Sequence, residues 1–396
     1  MIQISPETQL FIREHSSDDV RVLALQAKKY PDIDMPTAIT QIAGRKVAAE
    51  KITSWWEIEK IWYPKHLSLE QCSSEITARY KARLFQGDSL TDLTGGFGID
   101  CSFLATGFKS ATYVERQEEL CEIAAHNFPI LNLNHINVRN EDGVAYLQSM
   151  SPIDCIFLDP ARRNEHGGKT VAISDCEPNV AELEALLLNK ANRVMIKLSP
   201  MLDLSLALKE LKHTQEVHIL SVNNECKELL ILLGQTSPAE ITIHCVNLFT
   251  KGTQEEQHFV FTREQEQRSQ CTYTDSLGDY LYEPNASLLK AGAFRSIAAA
   301  YPVRKLHPNS HLYTSDTFIE NFPGRIFRIV NQCSFNKKEV KENLADLKKA
   351  NVTVRNFPAT VAELRKRLHL TEGGDTYLFA STLNNGQKVI IRCEKV

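Results

Sequence analysis

Two kinds of hydrophobic patterning divide the chain. Over residues 1–86 apolar positions recur at helical spacing. SPETQLFIREH opens with a Ser-Pro start, DDVRVLALQAKKY runs periodically until Pro31 stops it, and MPTAITQIAGRKVAAEKITSWW sets Ile39, Ile42, Val47 and Ile52 along a helix. Trp55, Trp56 and Trp62, all the tryptophans of the chain, crowd the end of that stretch beside Tyr63 and predict a hydrophobic core between helices. SLEQCSSEITARYKARLF predicts one more helix, with Ile76, Tyr80 and Leu84 on its buried face and Arg79, Lys81 and Arg83 on its solvated face.

From Leu90 to about Gly234 the pattern changes. Short β-rich runs (LTDL, ATYVE, INV, CIFLD, RVMIKL, VHILSV, ELLILLG) alternate with amphipathic helical ones such as EPNVAELEALLLNK and LDLSLALKELK. That alternation predicts an α/β fold, a mostly parallel sheet with helices on both faces. Only NNECK separates VHILSV from ELLILLG, too short for a crossover helix, so the last two strands pair as an antiparallel hairpin. EITIHCVNLF and HFVFTRE read as an extended hairpin attached to the sheet, and YEPNASLLKAGAFRSIAAAY as a helix within a small connector. The tail gives β-α-β-α-β-β and closes its last hairpin with Asn384–Gly386. The expected organisation is a helical region over 1–86, an α/β domain over 87–275, a connector over 276–320 and a small α/β domain over 321–396.

Chemistry concentrates where the strands end. LTDLTGGFGID carries Gly95, Gly96 and Gly98 between an apolar lead-in and a helical run, the order strand, tight turn, helix. Glycines allow positive φ and close approach of a ligand, and the helix behind them offers free N–H groups. Asp92, Glu115, Asp142 and Asp159 each fall at or just past the end of one of four successive strands. Ligands of open α/β sheets bind at that edge, so the four acids are expected to share one crevice. A nicotinamide site wants G-x-G-x-x-G, whereas Cys101 stands here where the third glycine belongs. Asp92 inside the loop repels a pyrophosphate and suits a cationic sulfonium, which favours S-adenosylmethionine as cofactor.

Asp92-Leu-Thr-Gly-Gly-Phe-Gly, Glu115, Asp142 and Asp159-Pro-Ala-Arg resemble, in order and spacing over roughly residues 70–235, motifs I to IV of the class I S-adenosylmethionine-dependent methyltransferases. The whole chain is similar to the bacterial members with a THUMP-like C-terminal domain, here after a ferredoxin-like connector. The resemblance implies a Rossmann-like sheet and a distribution of roles. Asp92, Thr94, Gly95, Gly96, Phe97 and Gly98 would cradle the methionine end, with Thr94 in the place of the usual first glycine. Glu115 would accept from the ribose hydroxyls and Asp142 from the adenine amino group, while Ser74 and Thr77 would approach the methionine carboxylate. In Asp159-Pro160-Ala161-Arg162 the acid would hold and polarise an acceptor amine, with Arg162 standing where such motifs carry an aromatic. The stretch NEHGGKTVAISDCEP, with Gly167-Gly168, reads as a lid over the substrate, and His166 and Lys169 as solvated loop residues.

Charge refines the choice of partner. The net charge is −4, yet residues 321–396 hold 14 Lys+Arg against 7 Asp+Glu. Lys337, Lys338, Lys341, Lys348, Lys349, Arg365, Lys366 and Arg367 are expected on the two helices of that tail, and an anionic partner suits them. Together with the THUMP-like resemblance this implies RNA, rRNA or tRNA, methylated on a base. Two alternatives stand beside that reading: a methyltransferase acting on a protein or small molecule, and a non-catalytic RNA-binding or assembly factor. The 10 cysteines are scattered without a C-x-x-C pair, Cys101, Cys155 and Cys245 lying in apolar runs. This predicts reduced core thiols, no metal and a cytoplasmic protein, in keeping with an N-terminus that lacks an apolar leader.

Overall fold

The structure, a computed structural model, describes residues 4–162 and 172–396. Contacts divide the chain into two compact units, residues 1–215 with 230–238 and residues 216–229 with 239–396.

The first unit begins with short helices. Pro6–Glu14, Val20–Leu25 and Met35–Lys51 each start on a side-chain cap: Ser5, Asp19 and Asp34 accept the backbone N–H groups of Thr8, Arg21 and Thr37. The periodic run before Pro31 is not one helix, since it breaks after Leu25 and resumes as a 3₁₀ turn over Ala27–Lys29. Thr53–Trp56, His66–Gln71 and Glu75–Leu84 follow. Ala48, Ile52, Trp55, Ile61, Tyr63 and Leu69 form one core cluster with Phe97, Ile99 and Ile123. The tryptophan-rich end of the helical region is therefore a core that grips the glycine turn, with the rings of Trp55 and Phe97 edge to face at 5.1 Å. Trp62 stacks on His126 at 3.6 Å.

The strands of the larger sheet are β1 (Gly87–Asp92), β2 (Phe108–Glu115), β3 (Ile136–Asn140) and β4 (Ile153–Leu158). A two-residue ribbon, β5 (Ala161–Arg162) and β6 (Cys176–Glu177), interrupts the series. There follow β7 (Ala191–Leu198), β8 (Thr214–Val222), β9 (Glu225–Gly234), β10 (Thr242–Leu248) and β11 (Glu256–Thr262). Their order is β11-β10-β8-β9-β7-β4-β1-β2-β3. β7, β4, β1, β2 and β3 pair in parallel, so the chain reverses its direction of travel across the sheet between β1 and β4, the kind of switch point outside which open α/β sheets bind their ligands. β8 and β9 are neighbours joined by Asn223 and Asn224, both at positive φ, a two-residue hairpin turn. β10 pairs in parallel with β8 and antiparallel with β11.

The second sheet comprises β12 (Tyr280–Pro284), β13 (Arg304–Lys305), β14 (Tyr313–Ser315), β15 (Gly324–Ser334), β16 (Asn351–Val354), β17 (Thr376–Thr382) and β18 (Lys388–Lys395). The order β13-β14-β12-β15-β18-β17-β16 joins connector and tail in one sheet. The long helix expected from Tyr282 does not form: TyrLeuTyrGlu alternates into β12, and Gly292, left-handed at φ 76°, ends Ala286–Ala291 before Ser296–Ala300 begins. The tail does give β-α-β-α-β-β, with helices Lys337–Leu344 and Val361–Leu368. Lys348 and Lys349 lie beyond the first of these, Lys349 in a bridge with Thr371, so they are not helical as expected. Among the described residues no helix is long and apolar enough to cross a membrane.

Candidate functional site

β1 delivers Asp92 to the sheet edge, and residues 93–98 turn into the helix Ile99–Leu104. Gly95 donates its N–H to Val114 O at 2.9 Å, which lays the turn against β2 so closely that a Cβ on Gly95 would sit 2.3 Å from the Tyr113 ring. Tyr113 in turn donates its hydroxyl to Gly96 O at 2.5 Å. Gly96 is left-handed at φ 54°, and its missing Cβ faces open space, with only Thr94 O within 4 Å. Glu115 Oε2 accepts the Gly96 N–H at 2.9 Å and Oε1 accepts that of Gln117 at 2.9 Å, so β2 holds the turn from its carboxylate as well.

Thr94 explains its presence where a glycine is usual. Its N–H donates to Asp92 Oδ1 at 3.0 Å, and its Oγ1 accepts the backbone N–H of Asp159 at 2.6 Å, tying the turn to the end of β4. A glycine has no hydroxyl to make that second bond. Phe97 is 3% exposed among Trp55 and Tyr63, a side chain that anchors the turn in the core.

A chain of charged pairs runs through Lys81, Asp100 and Lys197, all buried, to the more exposed Asp159. Lys81 Nζ is 2.9 Å from Asp100 Oδ1, Lys197 Nζ is 3.3 Å from Asp100 Oδ2, and Lys197 Nζ is 2.5 Å from Asp159 Oδ2. Ser73 donates its hydroxyl to Asp100 at 2.7 Å and accepts from both lysines, at 2.9 and 3.0 Å. Burial alone would raise the Asp100 carboxyl, but Lys81 and then Lys197, helped by the bonds from Lys81 and Ser73, hold it well below the ordinary carboxylate range. Asp159 is pushed up by desolvation, and Lys197 opposes the push. Asp92 has no lysine of its own. Desolvation, with Asp100 and Asp159 adding to it, raises its carboxyl to about 8 despite the Thr94 N–H, and Asp92 Oδ2 is buried without a hydrogen-bond partner.

The remaining expected residues fall into place unevenly. Asp142 lies two residues past β3, where its Oδ1 caps the helix Gly143–Ser149 by accepting from Val144 and Ala145 at 3.0 Å each. That helix abuts the turn, since a Cβ on Gly143 would lie 2.2 Å from Leu93 O. Ser74 Oγ pairs with Thr77 Oγ1 at 3.2 Å, whereas its neighbour Ser73 points into the charged chain. Pro160 is buried, Ala161 is exposed, and Ala161 and Arg162 pair with Glu177 and Cys176 in the ribbon. Residues 163–171, with Gly167-Gly168, His166 and Lys169, lie outside the described residues. Lys81 is the correction of most consequence: expected on a solvated face, it is fully buried, and the helix turns Thr77, Ala78, Tyr80 and Lys81 inward. Ser73, Asp100 and Lys197 carried a signal only in hindsight, a lysine ending an apolar strand (RVMIKL) and an acid opening an apolar helix (IDCSFL).

This geometry has relatives. The chain is similar over 100% of its length, and 100% of the other's, to the solved structure of a "putative methyltransferase" from Porphyromonas gingivalis, with 34% identity and a TM-score of 0.88. Residues 280–323 match a ferredoxin-like domain and residues 324–395 a THUMP domain-like family. The chain belongs to the class I methyltransferase family with a C-terminal THUMP-like domain. Weaker likenesses carry no argument: an rRNA methylase from Streptococcus thermophilus (14% identity, TM-score 0.31, 40% of this chain and 94% of the other) and a methyltransferase from Streptococcus mutans in complex with SAH (13%, 0.29, 40% and 95%). None of the curated proteins compared with this methyltransferase matches it.

Proposed function

We propose that this methyltransferase moves the methyl group of S-adenosylmethionine to a base of rRNA or tRNA, with Asp159 orienting the acceptor. One observation carries the cofactor: a buried carboxylate oxygen, Asp92 Oδ2, waits without a partner beside a glycine turn whose Gly96 faces open space. An orphaned buried acceptor is costly, and a ligand bearing positive charge and N–H donors removes that cost. S-adenosylmethionine has both, and when bound it supplies a methyl group made electrophilic by its sulfonium. Asp92, Thr94 and Gly95–Gly98 would hold its amino-acid end and Glu115 its ribose, with Asp142 and Ser74 as further contacts.

Asp159 suits the acceptor role because, among the described acids at these strand ends, it is both charge-paired and reachable, with 36% of its side chain exposed. Lys197 favours its ionised form, and a carboxylate is an acceptor only. It takes a hydrogen bond from an exocyclic amine and so aims the nitrogen lone pair, a task of positioning. RNA rests on the tail, where Lys337, Lys338, Lys341, Lys366 and Arg367 are exposed; lysine and arginine contacts to phosphate position RNA without reading its sequence.

The test follows tritium from labelled S-adenosylmethionine into total RNA from a strain lacking the gene, with wild-type and Asp159→Asn protein side by side. Counts in one RNA size class that the variant loses support the reading. No counts in RNA would move the acceptor to a protein or small molecule, or the chain to a binding role.

A further inference from the structure

Away from the glycine turn, the strands after β7 gather a second set of polar side chains. β8 and β10 run side by side in parallel, with Glu216 opposite Thr242 and His218 opposite His244. Residues two apart on a strand share a face, so Glu216, His218 and His244 project together. His218 Nε2 lies 3.2 Å from Glu216 Oε2, and His244 Nε2 lies 3.8 Å from the same oxygen. The two imidazoles stack at 4.3 Å, and one donor atom from each of the three residues lies within 4.8 Å of the others. On the far side His244 Nδ1 is 3.1 Å from His258 Nε2 of β11.

An ordinary histidine–carboxylate hydrogen bond explains the Glu216–His218 pair. It leaves unexplained why a second ring, already engaged through Nδ1, aims its Nε2 at the same oxygen. A cation between the three accounts for the convergence. The set also has the layout of a built metal site: two ligands at i and i+2 on one strand, a third on the adjacent strand, and an outer histidine that fixes the orientation of a ligating ring. His218 is 2% exposed and anchors the set, while the Glu216 side chain is 42% exposed and leaves one side open to solvent.

We propose that Glu216, His218 and His244 bind one zinc ion, with His258 as the orienting partner of His244. Two imidazoles and a carboxylate are a donor set that zinc takes with a fourth position left to water. Bonds of about 2.0–2.2 Å in tetrahedral geometry set neighbouring donors roughly 3.3–3.6 Å apart. The Glu216–His218 spacing is already close to that value, and the two rings, parallel within 7°, turn out of their stack to aim both nitrogens at one ion. Bound there, zinc would cross-link β8 to β10. The proposal is independent of the methyl-transfer reading, since none of these residues belongs to that site. Sequence spacing alone does not suggest it, because His218 and His244 come together only through the parallel pairing of their strands.

The test uses the full-length, tag-free chain, stripped with a chelator, dialysed against zinc and analysed for metal per chain. Wild-type protein is expected to hold one zinc and to melt at a higher temperature with it than without, because a ligand that binds only the folded state stabilises it. Glu216→Gln, on the exposed ligand, and His244→Ala are each expected to lose that zinc and the thermal shift. Both variants keep all ten cysteines, so metal held by thiols persists in them. Cobalt in place of zinc is expected to give the intense visible bands of four-coordination in wild type only. The proposal is overturned if wild type holds no zinc, or if its zinc and thermal shift survive in both variants.

Discussion

Lys197 Nζ sits 2.5 Å from Asp159 Oδ2 while also reaching Asp100 Oδ2 at 3.3 Å, so one ammonium joins Asp159 to the buried Asp100. Lys197 is a positioning residue in this arrangement. Removing its charge lets desolvation raise the Asp159 carboxyl further, because an opposite charge at this distance lowers an acid by about one to three units. Lys197→Met is expected to move the acid limb of the kcat–pH profile upward by about one unit or more, with the rate falling tenfold per pH unit below the new midpoint. A Lys197→Met enzyme with reduced kcat and an unmoved profile would reduce the lysine to a packing role.

Asp92 gives a pH dependence of opposite character to that of Asp100. With its folded pKa raised to about 8, Asp92 holds a proton between about pH 4 and 8 that the unfolded chain has released. Stability of the ligand-free protein therefore falls as pH rises across that window. Asp100, held low by its lysines, adds stability at neutral pH that is lost as pH falls below about 4. Asp92→Asn is expected to melt close to wild type at pH 4 and clearly above it at pH 8, the direction the raised Asp92 pKa sets. Calorimetric melting at the two pH values decides it; an equal offset at both would sink the assignment.

Gly95 is the turn position with least tolerance. A Cβ there would lie 2.3 Å from the Tyr113 ring, and that ring carries the hydroxyl bound to Gly96 O. Gly95→Ala is expected to cost about 1–3 kcal/mol in stability, as overpacked sites do, and to weaken cofactor binding beyond that loss. Tyr113→Phe removes only the hydrogen bond and is expected to cost about 1 kcal/mol. Urea unfolding and cofactor titration of both variants compare the two; equal effects would mean that crowding at Gly95 is relieved by movement elsewhere.

The sequence made the strand ends readable because acids after apolar runs are a local pattern. Asp92, Glu115 and Asp159 needed only their own neighbours to be noticed, and the hairpin at Asn223–Asn224 only a short loop. Lys81 and Lys197 were hidden for the opposite reason. A buried lysine is tolerated only beside its counter-charge, here Asp100 from another helix, and periodicity reads an isolated lysine as solvent-facing. The burial of the Phe97 side chain was hidden too, as its surroundings come from Trp55 and Tyr63, 42 and 34 positions earlier. The single helix expected after Pro284 failed on Gly292, whose left-handed backbone ends a turn that composition alone would continue.

If the exposed lysines of the tail meet phosphate, salt reports it. Each phosphate contact removed lowers the slope of log K against log salt by about 0.7–0.9. A Lys337→Ala, Lys338→Ala, Lys366→Ala protein is expected to bind RNA more weakly, with a slope reduced by about 2 to 3, and to bind S-adenosylmethionine unchanged. An unaltered slope in filter binding from low to moderate salt would place the RNA elsewhere or remove it.

The most direct test of the account is calorimetric titration of S-adenosylmethionine at pH 7 in two buffers of different ionisation enthalpy. A cation seated against Asp92 lowers its pKa from about 8, so binding to wild-type protein is predicted to release a fraction of a proton, approaching one, and its heat to depend on the buffer. Asp92→Asn is predicted to bind at least tenfold more weakly with a heat that no longer depends on the buffer. Equal affinity in the two proteins, with no proton released by either, would contradict the claim that the buried Asp92 carboxylate is the seat of the cofactor.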